Sequence, residues 1–280
     1  MATRRMTLAE QEPVIPGHRW GKAREVLFPP LLPGPGQHDR RPPWYLEAAV
    51  IVWLTWAYDF VSSLPALRQK AALAHGWAIL HLEQFLHLDP ERALNHWLAG
   101  HATLGLWMGN YYDNAHFVVT FGVIGWLWWF HPREYRPVRT ALVLINVAAF
   151  AIFWLYPVAP PRLLPNAGFV DVVAVTHAFG AWHGGVLANV ANEFAAMPSL
   201  HLAWACWSSF AVFRIFRRRR WIWLVWVYPC VTTWAVMATA NHYLLDAVAG
   251  AVTMVLGILA GDAVQRFWDR RHERALLPAS

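Results

Sequence analysis

Long apolar segments recur along this 280-residue chain, and they restrict what it can fold into. A helix needs roughly 20 predominantly apolar residues to cross the hydrocarbon core of a bilayer. The chain is 57% hydrophobic with 19 Trp and only 14% charged residues, whereas soluble domains carry about 25% charged residues. The sequence therefore predicts an all-α, polytopic membrane protein.

Six segments have the length and composition of membrane-spanning helices. In chain order they are 44–64, 114–130, 138–156, 198–216, 221–238 and 242–264. The weakly amphipathic stretch within residues 65–113 is typical of one or two helices at the membrane interface. We expect a six-helix membrane domain over 44–265, with an outer loop at 157–197. A flexible tail, 1–43, that lacks the pattern of a secretory signal precedes it, and a second tail, 266–280, follows.

Positive charge is distributed unevenly between the two sides of this arrangement. Nineteen of the 23 Lys and Arg residues fall in the two tails and in the loops after the second and fourth spans, which leaves four on the other side. Cytoplasmic loops are enriched in Lys and Arg, so both termini are expected in the cytoplasm. The net charge of +6 therefore indicates orientation, and no nucleic-acid partner is expected. Cys206 and Cys230 lie inside apolar segments and predict no disulfide framework.

The stretch AAMPSLHLAW, residues 195–204, places polar groups at the start of the fourth span. Pro198 suits a first helical turn, where its missing N–H is no loss. Ser199 can cap the helix or donate a hydrogen bond. A helix N-terminus also attracts phosphate through its free N–H groups and its dipole. Taken alone, Ser199 and His201 are more typical of simple capping.

The stretch NHYLLD, residues 241–246, opens the sixth span. His242 and Asp246 are four residues apart and so share one face of a helix. A carboxylate in that position can hold an imidazole in one tautomer and raise its basicity. Taken alone, such a pair is more often structural.

The stretch YPVAPPRL, residues 156–163, follows the third span, and Arg162 is the only Lys or Arg between 157 and 196. A guanidinium group matches the geometry of phosphate, although a single Arg here is more typical of an interfacial anchor. Charge counting places all three stretches at the outer ends of their helices. Ionisable residues at membrane depth tend to mark functional sites. The sequence therefore predicts an outer anion site formed by Arg162, Ser199, His201, His242 and Asp246.

These stretches resemble the motifs of the type 2 phosphatidic acid phosphatase superfamily, and more closely its inositol phosphorylceramide synthase-like branch. MPSLH is similar to the second motif (Pro-Ser-x-His), NHYLLD to the third (His-x-x-x-Asp) and YPVAPPRL to the first-motif region of the branch. The upstream NYYDNAHF, residues 110–117, also resembles that branch. The wider superfamily has further basic residues: here no Lys or Arg lies between Arg139 and Arg162, and Val236 replaces an Arg.

The resemblance implies a metal-independent reaction through a phosphohistidine, without a cofactor. His242 would attack the phosphorus, Asp246 would orient His242, and His201 would protonate the leaving oxygen and then activate the acceptor. Ser199 and Arg162 would bind phosphoryl oxygens. Further candidates for the substrate cavity are Asp59, Tyr112, His116, Asn241 and Tyr243.

Two classes of function remain open. The first is a membrane-embedded enzyme of the outer leaflet that acts on a phosphorylated lipid, with water (a phosphatase) or a polyol (a head-group transferase) as acceptor. The second is a transporter or a catalytically silent bundle. The presence of both histidines and the aspartate disfavours silence, and a transporter would more often have a broken helix or charges near the membrane centre. We expect a multi-pass protein of a cell membrane, and the sequence predicts no oligomeric state.

Overall fold

The computed structural model describes residues 41–63, 68–176 and 194–276, and these residues form helices joined by short loops. The expectation of an all-α protein is confirmed. The helices, in chain order, are α1 (Trp44–Ser63), α2 (Gln69–Phe85), α3 (Glu91–Ala99), α4 (Ala102–Phe130), α5 (Pro132–Leu155), α6 (Val172–Thr176), α7 (Leu200–Phe216), α8 (Val227–Ala238) and α9 (Leu244–Leu276). Two 3-10 helices, Pro161–Leu163 and Arg220–Trp226, lie between them.

Three described helical segments are long and apolar enough to cross a membrane: Pro132–Leu155, Arg220–Ala238 and Leu244–Arg271. A fourth, Leu200–Phe216, is apolar but shorter. Helices α1 and α4 lie where the first two spans were predicted. Each of the six predicted spans therefore coincides with a helix, and three of them meet the length and composition of a membrane span.

Several helices begin or end away from their predicted bounds. Helix α4 begins at Ala102 rather than near 114. The polar Asn110 and Asn114 are accommodated within it, since their side-chain amides donate to carbonyls one turn earlier in the same helix, at 2.8 and 3.0 Å. Helix α9 continues to Leu276, well into the predicted tail. The predicted fifth span is divided into a 3-10 helix and α8, in whose first turn Pro229 lies.

The stretch between the first two predicted spans contains α2, α3 and the beginning of α4. Helix α2 contacts α9 and the 3-10 helix that contains Arg162, and α3 contacts α8. Both short helices therefore pack on the end of the bundle where α9 begins. Their location at the membrane interface remains a prediction.

Helices α5 and α9 pack closely against each other. A Cβ added at Gly261 of α9 would lie 3.0 Å from the backbone nitrogen of Ala141 and 3.0 Å from the carbonyl oxygen of Pro137. Small residues allow helices of membrane proteins to approach in this way. The fully buried Trp207 of α7 donates its indole N–H to the carbonyl of Val138 at 2.8 Å. Helix α7 is thereby attached to the α5–α9 pair.

Backbone hydrogen bonds tie together the loops at one end of this bundle. Arg162 donates its backbone N–H to the carbonyl of Ala240 at 3.0 Å, and Ser199 donates to the carbonyl of Asp246 at 3.0 Å. The N–H of Ala196 reaches the carbonyl of Val158 at 3.2 Å. The three motif-bearing stretches therefore meet at the same end of the molecule.

Replacing Gly261 by Ala is expected to lower the melting temperature in detergent, because overpacking of a tight contact costs about 1–3 kcal/mol. Gly122 of α4 is the matched control, since an added Cβ there meets no described atom within 4 Å. Gly122→Ala should be neutral or stabilising by up to about 1 kcal/mol, through higher helix propensity. Circular dichroism during heating measures both variants. Equal melting temperatures for the two would contradict the close α5–α9 contact.

Candidate functional site

The imidazole of His242, just before α9, is held on one side by two acceptors. Its Nδ1 lies 2.8 Å from the carbonyl oxygen of Ala196 and 3.3 Å from Oδ2 of Asp246. A backbone carbonyl can only accept a hydrogen bond, so Nδ1 carries the proton and donates it. In the neutral ring, Nε2 therefore has the lone pair. This tautomer makes Nε2 of His242 a potential nucleophile or base.

The carboxyl group of Asp246 is completely buried in the first turn of α9. Its Oδ2 also accepts the backbone N–H of Tyr243 at 3.0 Å. The N-terminal end of a helix favours a negative charge. The group is therefore fixed in position and can stabilise positive charge that develops on His242.

His201, in the first turn of α7, faces the other side of the His242 ring. Its Nδ1 lies 3.4 Å from Nε2 of His242, and the ring centroids are 5.5 Å apart. Since Nε2 of His242 accepts, this contact is satisfied by a proton on Nδ1 of His201. The distance lies at the weak end for a hydrogen bond. A group that approaches Nε2 of His242 would thus meet a proton donor directly opposite.

Arg162 is bonded to the loop that carries His242 through Asn241. Its Nε donates to Oδ1 of Asn241 at 2.7 Å, and its Nη1 lies 3.8 Å from Oδ2 of Asp171. The Asn241 amide is oriented by its own donation to Oγ1 of Thr239 at 3.0 Å. The Arg162 side chain is only 4% exposed. The guanidinium is therefore fixed beside the residue that precedes His242, with part of its charge balanced by Asp171.

Ser199 connects α7 to α9. It is fully buried and is the N-cap of α7, where its Oγ accepts the N–H of Leu202 at 3.4 Å. A Cβ added at Gly250 of α9 would collide with the Ser199 carbonyl, so only glycine permits this approach. The described contacts of Ser199 are those of a cap. Its contact with phosphate remains a prediction.

Two side chains of α4 hold His201 in place. The ring of Tyr112 stacks on it with a centroid distance of 4.4 Å, and that of His116 meets it edge-on at 4.3 Å. Nδ1 of His116 donates to the carbonyl of Tyr112 at 3.1 Å. A cavity of about 10 Å³ lies here, bordered by Tyr111, Tyr112, Ala115, His116, His201, Tyr228, Thr232 and Val236. This volume is about that needed for one water molecule.

The remaining candidates have other surroundings. Tyr243 is fully buried in an apolar cluster, and its hydroxyl donates to the carbonyl of Ala159 at 2.9 Å. Asp59 belongs to α1, but its side chain lies outside the described part of the structure. Among residues 41–63, 68–176 and 194–276, no group of three or more His, Cys, Asp or Glu side chains is arranged to hold a metal ion.

Sequence reasoning missed two glutamates and one carbonyl. Oε1 of Glu91 accepts the backbone N–H of Leu244 at 2.5 Å, and Oε1 of Glu83 accepts that of Leu245 at 2.6 Å. The only sequence signal was two acidic residues in a chain poor in charge. The carbonyl of Ala196 had no side-chain signal at all.

Comparison with known proteins gives three similarities. The sequence model of the PAP2 superfamily matches residues 77–260, more than half of the chain. The phosphoinositol dihydroceramide synthase of Bacteroides thetaiotaomicron is 27% identical over 150 residues, and the match spans 45% of this chain and 45% of that protein. The crystal structure of Aquifex aeolicus LpxE has a TM-score of 0.43 at 17% identity, and the match covers 62% of this chain and 94% of that chain. The segment matched to the superfamily contains both histidines, Asp246 and Arg162.

Replacing Asp246 by Asn is expected to leave the His242 tautomer unchanged, because the carbonyl of Ala196 still requires a proton on Nδ1. Nitrogen NMR of histidine-labelled protein should find Nδ1 protonated and Nε2 unprotonated in both wild type and Asp246→Asn. A switch to the Nε2-protonated ring in the variant would mean that the carboxylate alone sets the tautomer.

Proposed function

The chain belongs to the PAP2 superfamily and is a phosphatase or phosphotransferase, and we propose that it acts on a lipid-linked phosphate through a phosphohistidine at His242. The observation that carries this proposal is the geometry of four residues. Nδ1 of His242 is held by Ala196 and Asp246, while Nε2 faces the protonated Nδ1 of His201. A nucleophile and a proton donor thus stand on opposite sides of a narrow gap.

In the first step, Nε2 of His242 attacks phosphorus and the bond from phosphorus to the leaving oxygen breaks. His201, in its imidazolium form with both ring nitrogens protonated, gives its Nδ1 proton to that oxygen and becomes neutral, so the leaving group departs as an alcohol. The phosphorylated ring is cationic while Nδ1 keeps its proton, and Asp246 stabilises that charge. Division of a difficult transfer into two steps is the general advantage of a covalent intermediate.

In the second step, His201 takes a proton from the acceptor hydroxyl, which then attacks the phosphorus. The bond from Nε2 to phosphorus breaks, and His242 is regenerated. Arg162 and the N-terminal N–H groups of α7 would stabilise negative charge on the phosphoryl oxygens. As in the family it resembles, the enzyme would need no metal ion.

The charge of the site favours a phosphomonoester or phosphodiester over a diphosphate. Arg162 is the only Lys or Arg between 157 and 196, and Asp171 offsets part of its charge at 3.8 Å. A donor that carries three negative charges would be poorly neutralised here. This limits the proposed donors to lipids with one phosphoryl group.

The acceptor is water in one form of the proposal and a polyol in the other. The name of the Bacteroides relative, phosphoinositol dihydroceramide synthase, supports a head-group transferase as the second candidate. Both forms share the first step, so only product analysis separates them.

We also propose that the six predicted spans all cross the membrane, with both termini in the cytoplasm and the site at the outer face. The distribution of Lys and Arg supports this orientation. The substrate would then enter from the outer leaflet.

His242→Ala is expected to abolish turnover, and Asp246→Asn to lower kcat by about 10²-fold, the scale of a lost proton-transfer or charge-stabilising partner. Purified protein in detergent micelles with EDTA would be given phosphatidic acid, phosphatidylinositol or polyprenyl phosphate, with and without inositol. Free phosphate and new lipids would be followed by colorimetry and mass spectrometry. A parallel reaction with labelled phosphate should trap acid-labile, alkali-stable phosphoprotein in wild type only.

The control for this assay is His81→Ala, which removes an exposed histidine of α2. It should retain wild-type turnover. Phosphate release alone identifies a phosphatase, and an inositol-dependent new lipid identifies a transferase. Undiminished turnover by His242→Ala would refute the phosphohistidine, and loss of turnover with EDTA would refute metal independence.

Reporter fusions test the proposed orientation. A fluorescent protein fused after Ser280 should fluoresce, because it folds in the cytoplasm, and a periplasmic phosphatase reporter at the same position should be inactive. The reverse result would place the C-terminus outside and contradict the proposed topology.

A further inference from the structure

Two buried glutamates from different helices bind the first turn of α9. Glu83 lies near the end of α2 and Glu91 begins α3, and both are 0% exposed. Their Oε1 atoms accept the backbone N–H groups of Leu245 and Leu244, at 2.6 and 2.5 Å. The first N–H groups of a helix have no partner within that helix. Here the partners come from outside the helix rather than from its own N-cap.

The two bonded amides lie between the catalytic candidates in sequence. Leu244 and Leu245 separate His242 from Asp246. Tyr243 also donates its N–H to Asp246. The backbone that carries both the imidazole and the carboxylate is therefore hydrogen-bonded by a glutamate of α2 and a glutamate of α3.

The two carboxyl groups accept the backbone N–H groups of two successive residues, Leu244 and Leu245, and Glu91 acts electrostatically on Glu83. Their Oε2 atoms are buried, and neither has a hydrogen-bond partner among the described residues. Two carboxylates could not both stay charged in such a place, because like charges at short range favour one proton between them. A proton on Glu83 gives that carboxyl an O–H to donate to Glu91.

Burial and the neighbouring acidic groups both raise the pKa values of the pair. Burial raises the pKa of Glu83 to about 9, with further contributions from Glu91 and Asp246 and with opposition from the Leu245 N–H. Burial also raises the pKa of Glu91, with a smaller contribution from Asp89. The Tyr243 hydroxyl is a further titratable group that interacts with the pair.

We propose that Glu83 and Glu91 form a proton-sharing carboxyl pair that positions His242 and Asp246, and that the site keeps its geometry only while the pair keeps its proton. The glutamates are positioning residues, since they act through the backbone of α9. This inference rests on the proposed function for its effect on turnover but not for its effect on structure.

The direction of the pH effect follows from the raised pKa of Glu83. The folded protein binds this proton more tightly than an unfolded chain, whose Glu titrates near 4.5. The stabilisation linked to the proton therefore decreases as the pH rises from that value and is lost as the pH passes about 9. Above that pH, two adjacent carboxylates repel each other and the start of α9 loosens.

Two substitutions of Glu83 distinguish the role of its proton from the role of its oxygen as an acceptor. Gln keeps an oxygen for the N–H of Leu245, and its amide can donate to Glu91 at any pH. Leu supplies neither group. Asp89→Asn is the matched control, because it removes a neighbouring acidic group for which no bond to α9 is present among the described residues.

The primary measurement is amide hydrogen exchange of the full-length protein at Leu244 and Leu245, at about pH 7.5 and about pH 10.5, each side of the proposed titration. At the lower pH, wild type, Glu83→Gln and Asp89→Asn should be protected alike. Glu83→Leu should exchange about 10-fold faster, the scale of a lost hydrogen bond to a carboxyl group. At the higher pH, wild type should lose protection relative to Glu83→Gln. Equal exchange in wild type and Glu83→Gln at both pH values would overturn the proton-sharing pair.

The second measurement is the pH profile of kcat and KM with phosphatidic acid micelles as the probe. Glu83→Leu should lower kcat by at least about 10-fold with little change in KM, because misplacement of reacting groups slows the chemical step. Wild-type kcat should decline as the pH passes about 9, and Glu83→Gln should keep the wild-type kcat at neutral pH without that decline. Full turnover by His242→Ala would refute the proposed function, whereas the exchange results would still decide the pair.

Discussion

The satisfaction of buried backbone groups at the start of α9 is the constraint on which the site depends. Polar groups inside an apolar bundle must find partners within the protein. The N–H groups of Tyr243, Leu244 and Leu245 all donate to carboxyl oxygens, and the carbonyl of Asp246 accepts from Ser199. These bonds complete the helix end and also place the candidate catalytic groups. Stability and chemistry are therefore supplied by the same contacts, and a change in one changes the other.

Two different groups accept from Nδ1 of His242, and each has its own effect on the ring. The Ala196 carbonyl is the nearer, at 2.8 Å, and it sets the tautomer. The Asp246 carboxylate, at 3.3 Å, adds negative charge. In many His–carboxylate pairs one group does both. Helix α7 begins shortly after Ala196 and is itself bonded to α9, so the orientation of the His242 ring depends on the packing of these two helices. The absence of a side chain at Gly250 permits their close approach.

The sequence was informative where a side-chain type or a local spacing carries the signal. The four-residue spacing predicted that His242 and Asp246 lie close together, and the structure has them in contact. The apolar segments predicted helices at positions where the structure has them. It was uninformative where the partner is remote or is backbone. Glu83 reaches Leu245 from 162 residues away, and no local pattern encodes that pairing. The early start of α4 was missed because Asn110 looks polar in sequence but bonds to its own helix.

The candidate site has few basic residues, but its arginine, Arg162, is held in a fixed orientation. Val236 stands where the wider family has an arginine, and its carbonyl accepts the N–H groups of Asn241 and His242 at 3.0 and 3.2 Å. That position therefore contributes to the loop through its backbone. Asn241, held in this way, fixes the guanidinium of Arg162. A preorganised donor stabilises a developing charge without having to reorient during the reaction, so one fixed arginine would suffice for the single phosphoryl group that we propose.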